Sequence, residues 1–153
     1  MERVRTLTAL FEAAKRWEVF AVVDIVQRMW EKPVHLSTAA AMTCLMRANG
    51  GEIVRTPRGR ETFLDQLRRG AAIAAANVRA AFMTSWEERF SQQDSQYSTS
   101  MLRDIERGGQ TEVEHILGFV LKAVRAQIPF HKLLLAYANV KAFEQLRDAG
   151  RLP

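Results

Sequence analysis

From Val113 onward the apolar residues Val113, Ile116, Leu117, Val120 and Val124 recur at steps of three and four. That spacing lines them up on one face of a helix and on no face of a strand. Thr111-Glu-Val-Glu114 stands just ahead of the run and reads as a capping box, with Ile128-Pro129 ending it. The same period governs most of the chain. Phe63, Leu64, Leu67, Ala71 and Ala74 share one helical face, Leu133, Ala136, Tyr137, Val140 and Leu146 another, and Gly150 supplies a stop.

The earlier segments follow the same logic. Asp24-Ile-Val-Gln27 resembles a capping box that opens a long helix reaching Ala48, which Asn49-Gly50-Gly51 terminates. Pro33 lies inside this helix, where it removes a donor and strikes the carbonyl of Met29, so a kink or a restart is expected there. Thr56-Pro57 signals a further helix start. Phe82, Met83, Trp86 and Phe90 suggest one short amphipathic helix, and the polar run Ser91 to Ser98 a loop. At the amino end, Val4, Leu7, Leu10, Phe11 and Ala14 predict a helix to Lys15, and the β-branched run Trp17 to Val23 a strand. No pair of alternating strands follows residue 23. The expected fold is therefore an all-α helical bundle preceded by a short helix-strand segment, 1–23, with the main domain over 24–150.

Composition limits what such a bundle does. At 153 residues and 48% apolar content the chain makes one domain with a real core. Its longest early uncharged run, Leu36 to Met46, is too short to cross a bilayer. The amino terminus has no secretion-signal order, because Glu2 and Glu12 interrupt it, so a cytoplasmic location is expected. Cys44 is the single cysteine, which excludes an intrachain disulfide and points to a buried structural thiol. The net charge is +5, and Arg55, Arg58, Arg60, Arg68 and Arg69 form the densest basic group, but Glu52, Glu61 and Asp65 are interleaved with them. That mixture describes a solvated helical face, and no nucleic-acid partner is expected. His35, His115 and His131 are scattered without ligand spacing, so no metal is expected. No Gly-x-Gly-x-x-Gly follows a strand, and Gly50-Gly51 and Gly108-Gly109 sit between helices, so no cofactor is expected to bind this chain alone.

Two blocks carry a family resemblance. One is Ser100-Met-Leu-Arg-Asp-Ile-Glu-Arg-Gly-Gly-Gln-Thr-Glu112-Val-Glu-His; the other is Met29-Trp-Glu-Lys32, followed by Thr43-Cys-Leu-Met-Arg-Ala. Together they resemble the helical domain of ketopantoate reductases, which reduce 2-dehydropantoate with NADPH on the way to pantothenate. The resemblance runs from about Arg3 to Gly150 and covers only the carboxyl-terminal half of such an enzyme. It implies the helical fold shared with the carboxyl-terminal domain of 6-phosphogluconate dehydrogenase, and makes residues 1–23 the remnant of the end of a nucleotide-binding domain. It also implies that Lys32 is the proton donor, that Glu112 contacts substrate and lysine, and that Ser100 helps hold the substrate. A desolvated ammonium suits proton donation to a developing alkoxide.

Three positions depart from the family. Asparagines are usual four and eight residues after the lysine and three before the serine, where this chain has Leu36, Ala40 and Tyr97. The expectation is a substrate-side and dimerisation domain, inactive alone, that is either a gene fragment or one half of a split enzyme whose NADPH-binding half is a separate chain, and that takes an oxo-acid substrate only if so complemented. The alternative is a helical oligomerisation or protein-interaction module that has lost enzymatic function. The expected partner is a second copy or a separate nucleotide-binding chain; in a homodimer the Trp17 to Val23 segments pair edge to edge or are buried against the helices of the other copy.

Overall fold

A computed structural model describes residues 2–12, 19–73, 78–123 and 131–152. These form α1 (Glu2–Glu12), α2 (Ile25–Met46), α3 (Gly50–Arg55), α4 (Gly59–Ile73), α5 (Ala80–Arg89) and α6 (Ser100–Glu106). A π-helical stretch (Glu114–Gly118) then runs into α7 (Phe119–Ala123), and α8 (His131–Asp148) follows. The all-α expectation holds, and the described residues contain no strand. Residues 19–23 of the expected strand are irregular. A strand needs a neighbour to satisfy its backbone, and the described residues offer none. Trp17, Ala74, Val124 and the Ile128-Pro129 break lie outside the described residues.

Helix α2 lies between two cores. Its Ala40, Ala41 and Cys44 join Met101, Leu102 and Ile105 of α6, Leu117 and Val120, and Leu133, Ala136, Val140 and Phe143 of α8. Its Val34, Ala39 and Met42 join Ile53 of α3, Phe63, Leu64 and Leu67 of α4, and Phe90. From Ser37 to Cys44 every α2 residue is buried. Three hydroxyls in this helix donate to its own carbonyls: Ser37 and Thr38 to Val34, and Thr43 to Ala39. A helix apolar around its whole circumference belongs inside a protein, and here the polar side chains make themselves locally satisfied.

Several local expectations are corrected by longer-range partners. The helix does not restart at Pro33 but runs unbroken from Ile25 to Met46. Asp24 is the N-cap residue, yet it makes no side-chain cap bond and instead accepts from Arg28 Nε at 3.0 Å. Asn49-Gly50-Gly51 starts a helix: α2 closes on Arg47 in the left-handed region, and Asn49 forms a true capping box with Glu52. Thr56 ends α3, its hydroxyl donating to the Ile53 carbonyl, and α4 begins only at Gly59. Thr111 donates to Glu144 Oε1 at 2.6 Å, so no capping box forms with Glu114. Leu146 is exposed, and Phe143 takes its place in the buried stripe of α8. The stop at Gly150 is a Schellman motif, with Arg151 N bonding Leu146 O and Gly150 N bonding Arg147 O.

The two glycine pairs serve chain packing. A Cβ on Gly51 would lie 2.6 Å from Gln93 O and 2.7 Å from Ser95 O, whereas one on Gly108 would meet nothing. Gly108 is instead required by its positive φ of 68°. Gly51→Ala is therefore expected to cost about 1–3 kcal/mol by overpacking, and Gly108→Ala about 1 kcal/mol through left-handed strain alone. Asparagine, which tolerates that backbone region, should recover most of the loss at 108 and none at 51, read as urea midpoints by circular dichroism.

Candidate active site

One end of α2 carries the residues of interest. Glu31 is 4% exposed and faces α5, where Arg79 donates to it from Nε (2.8 Å), Nη2 (2.5 Å) and the backbone amide (3.2 Å). These contacts hold the Glu31 carboxyl below its usual range. The next residue along a helix points about 100° away, and Lys32 turns out of this interface. It lines a cleft of about 200 Å³ with Met29, Pro33 and Leu36 of α2 and with His115, Ile116 and Phe119 opposite. Lys32 is exposed, and no hydrogen bond or ion pair engages its ammonium among the described residues. Trp30 stacks on Phe119 with ring centroids 5.9 Å apart, closing the contact between the two walls.

The far wall owes its shape to the π-helical stretch. Glu114 folds over Gly118, where a Cβ would lie 2.8 Å from Glu114 Oε2. Its carboxylate accepts from the Tyr137 hydroxyl at 2.6 Å and lies 3.6 Å from Lys141 and 3.7 Å from Lys122. The Tyr137 bond is the main cause lowering the Glu114 pKa, with the two lysines adding to it. Wide turns of this kind occur often at functional sites.

Of the other sequence-derived site residues, neither Glu112 nor Ser100 lines this cleft. Glu112 is exposed and stands one turn before Ile116, whose amide bonds the Glu112 carbonyl at 3.0 Å. It does not line the cleft, and no ion pair joins it to Lys32. Ser100 is the exposed first residue of α6. Thr99 is the N-cap instead, accepting from Leu102 N and sharing a buried 2.9 Å hydrogen bond with Thr43 of α2. Thr43 stands eleven residues past Lys32, about 16 Å along the helix axis. The stripe between them runs through Leu36, half-buried on the cleft wall, and Ala40, fully buried. Tyr97 packs on Trp86 and Phe90, and its carbonyl accepts from Gly50 N.

Two features escaped the sequence reading. His115 had no spacing to mark it, and Glu31 looked like any helical surface charge. Cys44 is buried as expected, and burial pushes its thiol up to about 11, far from a reactive thiolate. His35 stacks on Trp86 at 4.0 Å, and burial lowers its pKa. Among the described residues no group of three histidine, cysteine or acidic side chains converges on a metal-sized space, and no helix is long and apolar enough to cross a membrane.

Comparison with known proteins bears directly on this geometry. Residues 24–144 match the family model described as "Ketopantoate reductase PanE/ApbA C terminal". The chain belongs to this family. It is similar to the uncharacterized oxidoreductase YkpB of Bacillus subtilis, with 31% identity over 147 residues, covering 94% of this chain and 48% of that one. The 2-dehydropantoate 2-reductase of Archaeoglobus fulgidus is 32% identical over 102 residues, or 67% of this chain and 35% of the relative. The crystal structure of 2-dehydropantoate 2-reductase from Methylococcus capsulatus superposes with a TM-score of 0.74 at 28% identity, covering 96% of this chain and 52% of that chain. This ketopantoate reductase family member thus spans about half or less of the curated relatives' length.

The family implies a nicotinamide cofactor, and the described residues do not fit one. All four amides of the glycine pairs are already spent: Gly50 on Tyr97 O, Gly51 on Ser95 O, Gly108 on Ile105 O and Gly109 on Asp104 O. None is left to cradle a pyrophosphate.

The Glu31–Arg79 pair sets a pH test for the helix that carries Lys32. A carboxyl whose folded pKa is depressed adds stability above its unfolded value, near 4.5, and loses it as pH falls through the folded one. Wild type should therefore melt above Glu31→Gln at pH 7, with the gap closing as pH drops below about 4.5. A gap independent of pH between 7 and 3 would show that the charge of Glu31 contributes nothing.

Proposed function

We propose that this chain supplies the substrate-binding and proton-donating half of an oxidoreductase that reduces a 2-oxo acid with NADPH, the nucleotide-binding half lying outside these residues. The observation that carries this reading is Lys32, an ammonium with no partner among the described residues, lining a mostly apolar cleft between two helices. In this reading Lys32 hydrogen-bonds the substrate's 2-oxo oxygen and gives it a proton as negative charge develops there. In the same reading Glu112 and Ser100, both exposed, contact substrate or lysine once the second half is present.

The chain alone is expected to oxidise no NADPH with ketopantoate above a no-substrate blank, because its sequence lacks the glycine-rich turn that holds a nicotinamide nucleotide. Coexpression with the amino-terminal half of the B. subtilis oxidoreductase should restore turnover of a 2-oxo acid. Lys32→Met should then lower kcat by about 10²–10⁴-fold, the usual worth of a positioned general acid. Activity of the chain alone refutes its incompleteness; full activity of the Lys32 variant refutes the site.

A second reading, association through an uncovered apolar surface, rests on a different observation. Val4, Leu7, Leu10 and Phe11 of α1, then Phe20, Val23, Ile25 and Val26, are all exposed, more large apolar side chains than a monomer ordinarily leaves in water. A homodimer buries them. Sedimentation should give a dimer for the intact chain and a monomer for a chain starting at Asp24; a monomer in both cases contradicts it.

A further inference from the structure

The composition of the cleft wall points to a class of substrate, an inference that rests on the proposed role of Lys32 and deepens it. Five of the seven residues lining the cleft are apolar: Met29, Pro33, Leu36, Ile116 and Phe119. The remaining two, Lys32 and His115, come from opposite walls, and no carboxylate among the described residues lines the space. An anionic group is therefore favoured where Lys32 and His115 can reach it, while the rest of the ligand meets hydrocarbon. Leu36 stands one turn beyond Lys32, on the same helical face, where the family resemblance leads one to expect an amide. One turn further, Ala40 is fully buried in the core with Cys44 and Met101. A ligand hydroxyl directed along this stripe loses water and finds no side-chain hydrogen-bonding partner at either position.

We propose that the cleft selects a 2-oxo or 2-hydroxy carboxylate with an aromatic or branched apolar substituent over one whose substituent carries a hydroxyl. Size agrees with this. An apolar cavity of about 150 Å³ is enough to take up benzene, and this cleft measures about 200 Å³. The half-exposed ring of Phe119, backed by Trp30, offers a face on which an aromatic substituent stacks. Discrimination arises mainly from the missing polar partner, since a site without one penalises a hydroxyl it must desolvate.

The test is binding to the 153-residue chain, read by amide chemical-shift changes on titration with phenylglyoxylate and, separately, ketopantoate. Phenylglyoxylate should shift the Lys32, Leu36, Ile116 and Phe119 amides with a Kd at least fivefold below that of ketopantoate. Leu36→Asn should narrow or reverse that ratio, and Phe119→Ala, at an exposed position, should weaken phenylglyoxylate alone. Lys32→Met should weaken both acids together. Equal affinity for the two, or a ratio unmoved by both Leu36→Asn and Phe119→Ala, overturns the selectivity while leaving Lys32 as the anchor. Binding of either acid that leaves the cleft amides unshifted, or that Lys32→Met does not weaken, overturns the site reading itself, and the selectivity with it.

Discussion

Residues 37–44 of α2 have no solvent side, and the remainder of the molecule is arranged around that fact. A helix wrapped by two cores needs small side chains where its neighbours come close, which Ser37 and Ala39 to Ala41 provide, and it needs every polar group answered. Its threonines answer themselves through their own helix's carbonyls, and Thr43 also reaches outward to Thr99. That last bond ties the start of α6, and with it Ser100, to a fixed point on the central helix. The amino-terminal arm of α2 lies beyond this clamp and has its own contacts, Glu31 with Arg79 and Trp30 with Phe119.

On the arm, two neighbouring charges are kept apart. Glu31 and Lys32 have opposite sign, and a free carboxylate beside the ammonium would compete with any anionic ligand for it. Arg79 engages both Glu31 oxygens and adds its own backbone amide. The geometry places the carboxylate in an interface with α5 and leaves the ammonium to the cleft. Glu31 is thus kept out of the cleft that Lys32 lines.

How much of the fold is legible in the sequence depends on the range of the interaction concerned. Apolar faces such as Phe63, Leu64 and Leu67 are legible because burial follows periodicity, and Gly150 is legible because a left-handed stop is a local property. Capping is less so. Thr111 and Glu114 have the spacing of a capping box, but Glu144 and Tyr137, far along the chain, take their side chains first. Asn49-Gly-Gly-Glu carries stop and start signals together, and only the packing of Gly51 against the Gln93 to Ser95 loop decides between them. At the site, Lys32 is visible through resemblance to a family, whereas His115 and Glu31 acquire meaning only from what faces them.

The π-helical stretch has a geometric consequence for the whole cleft. A π turn is an α-helix with one residue too many, and each residue turns an α-helix by about 100°. Glu112, on the near side of Glu114–Gly118, is thereby offset in azimuth from Phe119 on the far side, relative to a regular helix through the same positions. The stretch works as a built-in phase shift between the acid and the aromatic wall. A lineage could re-aim one against the other by deleting a single residue here, without altering the chemistry of any side chain in the cleft.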